Sequence, residues 1–329
     1  MEPILQIQHV SIDFTQYESR KGTSRRRLQV IRDLSLTLYP GQVMAVVGAS
    51  GSGKSLLAHG ILHILPYNSH MRGEIRYNGE PLTKERAKRL RGREIVLIPQ
   101  GVTYLDPLMK VGAQIRKGRR DEASRRMSRE ALGRYGLSPD TEDLYPFELS
   151  GGMARRILIA AATVEKPRLV IADEPTPGLD IVSAGRILAH LREIADAGAG
   201  VLLITHDLEL ALRIADRVAV FYAGETIEDA AASDFADPSL LRHPFTKALW
   251  HAMPGHGFRT IAGAQPYPGT AERGCPFVSS CVDCVDKCRE AEEIAPRYVR
   301  GGWVRCLRVQ DDTREAGIEN SDLGEGMEE

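Results

Sequence analysis

The sequence predicts an α/β fold in which a mostly parallel sheet is interrupted by a helical region and followed by a small cysteine-rich module. Three features predict it. The stretch QVMAVVG, residues 42–48, is an almost continuous apolar strand that enters a glycine-rich turn, and Lys54 to Ile64 then has helical spacing. Short apolar strands return near Leu169 to Ala172, Gly200 to Ile204 and Arg217 to Phe221 with helices between them, the rhythm of parallel strands buried on both faces. All 5 cysteines fall between Cys275 and Cys306, beyond the point where periodicity fades and Pro and Gly rise.

Composition agrees. The 329 residues, 43% hydrophobic and 26% charged, are those of an ordinary globular protein rather than a disordered or collagen-like chain. A net charge of −1 gives no overall pull toward nucleic acid or an acidic membrane. No apolar run approaches the ~18 to 20 residues that span a bilayer. The start, MEPILQIQ, carries an acidic residue where a secretion leader carries basic ones, so no leader is expected.

In chain order, strands are expected over Ile4 to Val10 and Leu28 to Leu38, on either side of a polar segment with Arg20, Lys21, Arg25, Arg26 and Arg27. That basic run reads as a solvated hairpin loop, with a lipid-headgroup contact as the sharper alternative. Residues 84–148 are rich in Arg and Lys and read as helices joined by polar loops, giving a helical subdomain of about residues 84–165 inserted in a unit spanning 1–253. The cysteine module follows over 254–310. Residues 311–329 carry 8 acidic side chains against one Arg and read as a disordered tail. No internal repeat is visible.

The chemistry starts at Gly48-Ala49-Ser50-Gly51-Ser52-Gly53-Lys54-Ser55, which fits GxxxxGK[ST] directly after a strand and before a helix. Glycines let backbone N–H groups converge on phosphate oxygens, and the helix N-terminus adds a favourable dipole. Lys54 then neutralises β/γ-phosphate charge and the Ser55 hydroxyl is a Mg²⁺ ligand. In RLVIADEP an apolar strand ends in adjacent carboxylates, Asp173 for the Mg²⁺ shell and Glu174 to orient or deprotonate water. Shortly upstream, Leu149-Ser150-Gly151-Gly152-Met153 offers N–H donors for an anion at a helix start.

With this pentapeptide the sequence resembles the ATP-binding cassette (ABC) family, matching its signature with Met in place of the commoner Gln. The resemblance continues in the family's order. Gln100 ends REIVLIPQ like the Q-loop glutamine, a further Mg²⁺ contact; Gly178-Leu179-Asp180 looks like the D-loop, and His206 in LLITHD like the switch histidine. Phe14 matches the aromatic that stacks on adenine. The resemblance implies a P-loop NTPase with a RecA-like core, an antiparallel β subdomain and an inserted helical subdomain. It also implies an ATPase in which two cassettes meet head to tail, each closing the partner's ATP with its Ser150 to Gly152 equivalent.

YPFELSGGM, ADRVAVFYAGETIED and HPFTKALW are closest to the oligopeptide, dipeptide and nickel importer branch. Pro-Gly-Leu-Asp replaces that branch's common Thr-Ala-Leu-Asp, and QGVTYLDP stands where QDPxxxLNP is usual; neither change removes a catalytic side chain. Implied partners are two transmembrane permease subunits, a second ATPase subunit and, indirectly, an extracytoplasmic binding protein, with no nucleic acid. The implied location is the cytoplasmic face of the membrane. Peptides and nickel-type solutes are both admitted as cargo, a metal chelate or other small solute is the alternative, and a soluble ABC ATPase acting on DNA or ribosomes is the reading of another class.

The branch often carries a C-x5-C-x6-C…C pattern, which Cys275, Cys281, Cys288 and Cys306 reproduce, leaving Cys284 over. That resemblance suggests a [4Fe–4S] cluster with a structural role. Four of these thiolates suit tetrahedral zinc equally, and plain reduced cysteines in a small core are the third reading.

Overall fold

A computed structural model describes residues 1–17, 25–49, 51–259, 265–266 and 273–312 of the chain. Strands β1 (Leu5–Tyr17) and β2 (Arg25–Leu38) form a long antiparallel pair, with Leu5 opposite Leu38 and Tyr17 opposite Arg25. Arg25 to Arg27 therefore belong to β2, not to the hairpin loop expected for them, while Arg20 and Lys21 lie outside the described residues. Antiparallel ladders tolerate charged side chains on a solvated face. One of these, Arg27, approaches the nearly buried Asp13 carboxylate at 3.7 Å, and Arg72 reaches it at 3.6 Å.

Strand β3 (Val43–Gly48) is buried throughout and leads into α1 (Lys54–Ile61), shorter than the helix expected to Ile64 because His63 turns to φ 51. Strands β4 (Ser69–Tyr77) and β5 (Glu80–Pro81) extend the antiparallel edge. After α2 (Lys84–Leu90), capped by the Thr83 side chain accepting from the Arg86 N–H, β6 (Ile95–Ile98) pairs parallel with β7 (Leu169–Asp173). Residues 95–98 thus sit in the central sheet, and the helical region begins beyond them. There α3 (Val111–Ile115), α4 (Glu122–Arg134) and α5 (Gly151–Thr163) close a separate small core around Val111, Ile115, Leu132 and Ile157.

The α/β rhythm then resumes with α6 (Ile181–Asp196), β8 (Gly200–Thr205), α7 (Leu208–Leu212), β9 (Arg217–Tyr222) and β10 (Glu225–Ala231). The parallel order is β9-β3-β8-β7-β6. Alternate residues feed opposite cores: Val43, Ala45 and Val47 pack with α6 residues Ile187 and Leu191, while Met44 and Val46 pack with Leu57 and Ile61 of α1. Fully burying each such aliphatic side chain contributes ~1.5–3 kcal/mol, so a strand buried on both faces is a strong anchor. Strand β10 turns back antiparallel on β9 and meets β2 at Glu225 and Asp33, so the sheet curls from parallel core to antiparallel flank.

Beyond β10 come α8 (Pro244–His251), α9 (Lys287–Glu290), β11 (Arg297–Val299) and β12 (Gly302–Val304). β12 pairs antiparallel with β10. Arg305, 4% exposed, donates to the Asp33 carboxylate at 2.6 Å and to the Ile294 carbonyl at 3.1 Å. The acidic tail from residue 313 lies outside the described residues.

On α6, His190 is hydrogen-bonded through Nδ1 to the Tyr135 hydroxyl. Burial, reinforced by Arg134 and only partly opposed by Glu193, lowers its pKa to about 4. At pH 7 it is neutral in the folded chain and mostly neutral in the unfolded one. As pH falls through about 6.5 the unfolded chain takes up a proton that the folded one refuses until about 4, so the stability present above that window is lost across it. His190→Gln, which cannot titrate, is expected to flatten the loss of unfolding free energy between these two pH values, measured by urea denaturation at a series of pH.

Candidate functional site

The C-terminal ends of β3, β7 and β8, and the segment after β6, meet along one edge and enclose an open cavity of about 410 Å³. Gly51, Gly53, Lys54 and Ser55 line it from the glycine turn. Gln100, Glu174 and His206 face it from the other strand ends. At the turn's first residue, a Cβ on Gly48 would lie 2.0 Å from the Phe221 carbonyl oxygen of neighbouring β9, so only glycine fits there. Gly53 sits at φ 95, a left-handed conformation that glycine adopts without strain. Ser50 lies outside the described residues.

Lys54 is 7% exposed, and its ammonium donates to the carbonyls of Gly48 at 2.9 Å and Ala49 at 2.8 Å. Burial pushes its pKa down, and the Glu174 and Asp173 carboxylates push it back up. The Ser55 hydroxyl donates to Asp173 Oδ1 at 3.2 Å. Burial raises the Asp173 pKa, the Ser55 bond lowers it, and the Glu174 charge raises it again. Hydroxyl, carboxylate and the Gln100 amide are oxygen donors of the kind a hard divalent cation takes.

Glu174 has φ 48, an uncommon conformation for a residue with a Cβ. Its N–H continues the ladder to the Ile204 carbonyl at 2.9 Å. Its carboxylate accepts from the His206 N–H at 3.1 Å, approaches His206 Nδ1 at 2.7 Å, and accepts from the Thr205 hydroxyl at 3.4 Å. The His206 side chain remains 60% exposed, so it faces whatever enters the cavity.

Not every expected residue joins this cavity. Phe14 lies in β1 opposite Leu28 and Ser69, partly packed on the apolar core, and is not among the lining residues. Val30 of β2 lines the cavity instead and packs against Gly53. Sequence reasoning missed Val30 because an apolar strand residue carries no motif. The Leu149 to Met153 segment is also outside the cavity: Ser150 caps α5 by accepting from the Met153 N–H at 3.3 Å, with Ser150 and Gly151 exposed. Asp180 caps α6 by accepting from the Ser183 N–H at 2.9 Å and hydroxyl at 2.7 Å, which holds its carboxyl below the ordinary range. A further missed residue is Arg155, whose guanidinium donates to the carbonyls of Glu174 and Gln100.

All 5 cysteines are free thiols. Cys275, Cys281, Cys288 and Cys306 line one small pocket with His243, whereas the Cys284 sulfur faces the Val285 carbonyl at 3.6 Å. Among the described residues no three His, Cys, Asp or Glu side chains converge closely enough to hold a metal ion.

Residues 31–177 match the family model described as ABC transporter, and residues 227–288 match the oligopeptide/dipeptide transporter C-terminal region. A protein of Brucella abortus named for peptide import ATP binding is 33% identical, the match covering 89% of this chain and 91% of that protein. The dipeptide transport ATP-binding protein of Bacillus subtilis is 35% identical over 85% of this chain and 87% of its own. The chain belongs to the ABC transporter ATP-binding family, in its oligopeptide/dipeptide branch.

The fold agrees: a dimeric ATP-binding cassette solved in a post-hydrolysis state superposes with a TM-score of 0.60 at 22% identity, covering 69% of this chain and 98% of that one. This ABC ATPase binds ATP with the mixed α/β cassette and curled sheet described above. Because the Gly48 position has no room for a side chain, Gly48→Ala is expected to destabilise the protein by about 1–3 kcal/mol through overpacking of β3 against β9. It should also lose ATP binding; chemical denaturation and nucleotide titration check the two effects.

Proposed function

We propose that this chain is the ATP-hydrolysing subunit of a peptide importer. The observation that carries the cargo is the match of residues 227–288 to the oligopeptide/dipeptide transporter C-terminal region, supported by relatives named for peptide and dipeptide transport. Nickel-type solutes and metal chelates, admitted by the sequence, have no counterpart among those relatives. Among the described residues no helix is long and apolar enough to cross a membrane. The match to peptide-import relatives supports attachment through two permease subunits at the cytoplasmic face, with a binding protein delivering cargo outside. A second cassette completes the motor.

The N–H groups of Gly51 to Ser55 bind the phosphates, and Lys54 turns from the Gly48 and Ala49 carbonyls to the β/γ-phosphates. Ser55, Asp173 and Gln100 would hold a Mg²⁺ ion, which screens phosphate charge when bound. Glu174 orients the attacking water and accepts its proton, with His206 fixing the carboxylate. Phe14, which does not line this cavity, would stack on the adenine ring, as its resemblance to the family's aromatic implies. Leu149 to Met153 and Asp180, outside this cavity and exposed in part, serve the ATP of the partner cassette. A pair closed by ATP and opened by hydrolysis and release drives the permease, because ATP binds the closed state preferentially. In the transporter reconstituted with its binding protein, peptides and not nickel should stimulate ATP turnover. Glu174→Gln should lower that turnover about 10²-fold or more while leaving ATP bound. Turnover like wild type would remove Glu174 from the role, and stimulation by nickel alone would overturn the cargo.

For the cysteines we propose a structural [4Fe–4S] cluster on Cys275, Cys281, Cys288 and Cys306. Support comes from the donor set: four thiols on one pocket are the number such a cluster takes, and Cys284 does not line that pocket. Ligation requires these sulfurs to converge more closely than they stand. Anaerobically purified protein is expected to contain iron and sulfide, lost in Cys281→Ala and kept in Cys284→Ala. Zinc without iron or sulfide would replace the cluster by the tetrahedral alternative, and neither metal would leave reduced thiols.

A further inference from the structure

We infer that Arg155 is a positioning residue for ATP hydrolysis, its guanidinium fastening the backbones of Glu174 and Gln100 to the start of α5. One nitrogen, Nη1, donates to the Glu174 carbonyl at 2.5 Å, and Nη2 donates to the Gln100 carbonyl at 2.7 Å. The two carbonyls belong to segments that leave adjacent parallel strands, β7 and β6, and both residues face the cavity that holds Lys54 and Ser55. Among the described residues Arg155 makes no ion pair within 4.0 Å; the charge is used on two main-chain oxygens. Burial lowers its pKa and the Glu174 carboxylate opposes that, which is consistent with a cation held close to the acid without neutralising it directly.

The Glu174 backbone shows why such a clamp is needed. At φ 48 the residue is in a sparsely populated region, and such conformations persist only when the surroundings over-determine them. Here the N–H is tied to Ile204, the carboxylate to His206, and the carbonyl to Arg155. The Thr205 hydroxyl also reaches the carboxylate, and releasing the carbonyl removes the one restraint that acts on the residue's C-terminal side. A planar guanidinium also fixes the spacing of its two acceptors, which a lysine ammonium does not. Because Arg155 sits in α5 shortly after the Ser150 cap, any rotation of that helix is transmitted to both residues at once.

The inference rests on the reading of Glu174 as the catalytic carboxylate, and Glu174→Gln tests that reading separately. Steady-state ATP hydrolysis is compared for wild type, Arg155→Lys and Arg155→Gln in the assembled transporter, with ATP binding and melting temperature measured on the same preparations. Arg155→Gln is expected to lower kcat about tenfold or more, through misorientation of Glu174, while KM and ATP affinity stay within about twofold. Arg155→Lys should fall between. A kcat within about twofold of wild type in Arg155→Gln overturns the inference. Parallel loss of melting temperature and ATP affinity in both variants also overturns it, since it makes Arg155 a general scaffold residue. Where Arg155→Gln does not fold, the kcat-against-KM split in Arg155→Lys decides alone.

Discussion

The site depends on the register in which the parallel strands end. Val47 lies opposite Thr205, Gly48 opposite Phe221, Asp173 opposite Ile204 and Ile98 opposite Ala172. One residue further along, His206 and Glu174 emerge side by side, and two residues beyond Ile98 comes Gln100. In a half-buried strand, register is set by the difference between apolar and polar faces, but β3, β7 and β8 are buried on both faces and lack that signal. Shape does the work instead. The Phe221 carbonyl occupies the space of a Gly48 Cβ, and Ile4 and Leu38 crowd the space of a Gly200 Cβ, so the observed pairing needs glycine at both positions.

The same close packing sets the electrostatics. Lys54 and Glu174 line the cavity and Asp173 lies just behind it, bonded to Ser55; all three are nearly buried, and burial opposes the charged forms of Lys54 and Asp173. Attraction between Lys54 and the two carboxylates offsets part of that cost, while the carboxylates repel each other. Lys54 meets the rest by donating to the Gly48 and Ala49 carbonyls, bonds that a phosphate can replace without leaving the ammonium unpartnered. A different solution holds around β10. Glu228, fully buried, accepts from the N–H groups of Arg242 and His243 at 2.9 Å each, and Arg242 also bonds Asp234 at 2.9 Å. Those partners are protein groups on all sides, which suits a permanent scaffold rather than an exchangeable ligand.

What was legible in the sequence follows from these physical differences. Continuous apolar runs announced β3, β7, β8 and β9, and the order of motifs announced Glu174, His206 and Gln100, because such signals are local. β4, with only Ile75 and Tyr77 buried, and β10, whose Glu228 and Asp229 are buried against Arg242 and Arg217, read as polar and were passed over. Their pairing is decided by neighbours far along the chain. Val30 and Arg155 were illegible for the same reason: one is an unremarkable strand residue, and the other bonds carbonyls 19 and 55 positions away. Arg25 to Arg27 show the converse, since a basic run that looks like a loop is ordered by the ladder opposite Thr15 to Tyr17.

The cysteine segment illustrates how a stretch poor in periodicity can still belong to the core. Composition suggested a boundary near residue 254, yet β12 pairs with β10 through Glu228–Val304 and Asp229–Trp303, on the edge where Glu225 meets Asp33 of β2. Two short segments thus share the outer edge of β10 in succession. An uncovered edge would present unpaired N–H and C=O groups to other chains, and β12 removes part of that exposure. Arg305 follows immediately and carries its charge to Asp33, while Phe277 packs on Tyr222 of β9 and Phe245 of α8 at ring separations of 5.6 and 5.4 Å. Backbone pairing, a nearly buried ion pair and an aromatic cluster all cross the boundary that composition suggested. The segment is therefore held as a continuation of the sheet, and the four thiols on its pocket inherit the rigidity of β10 and α8 rather than having to supply it.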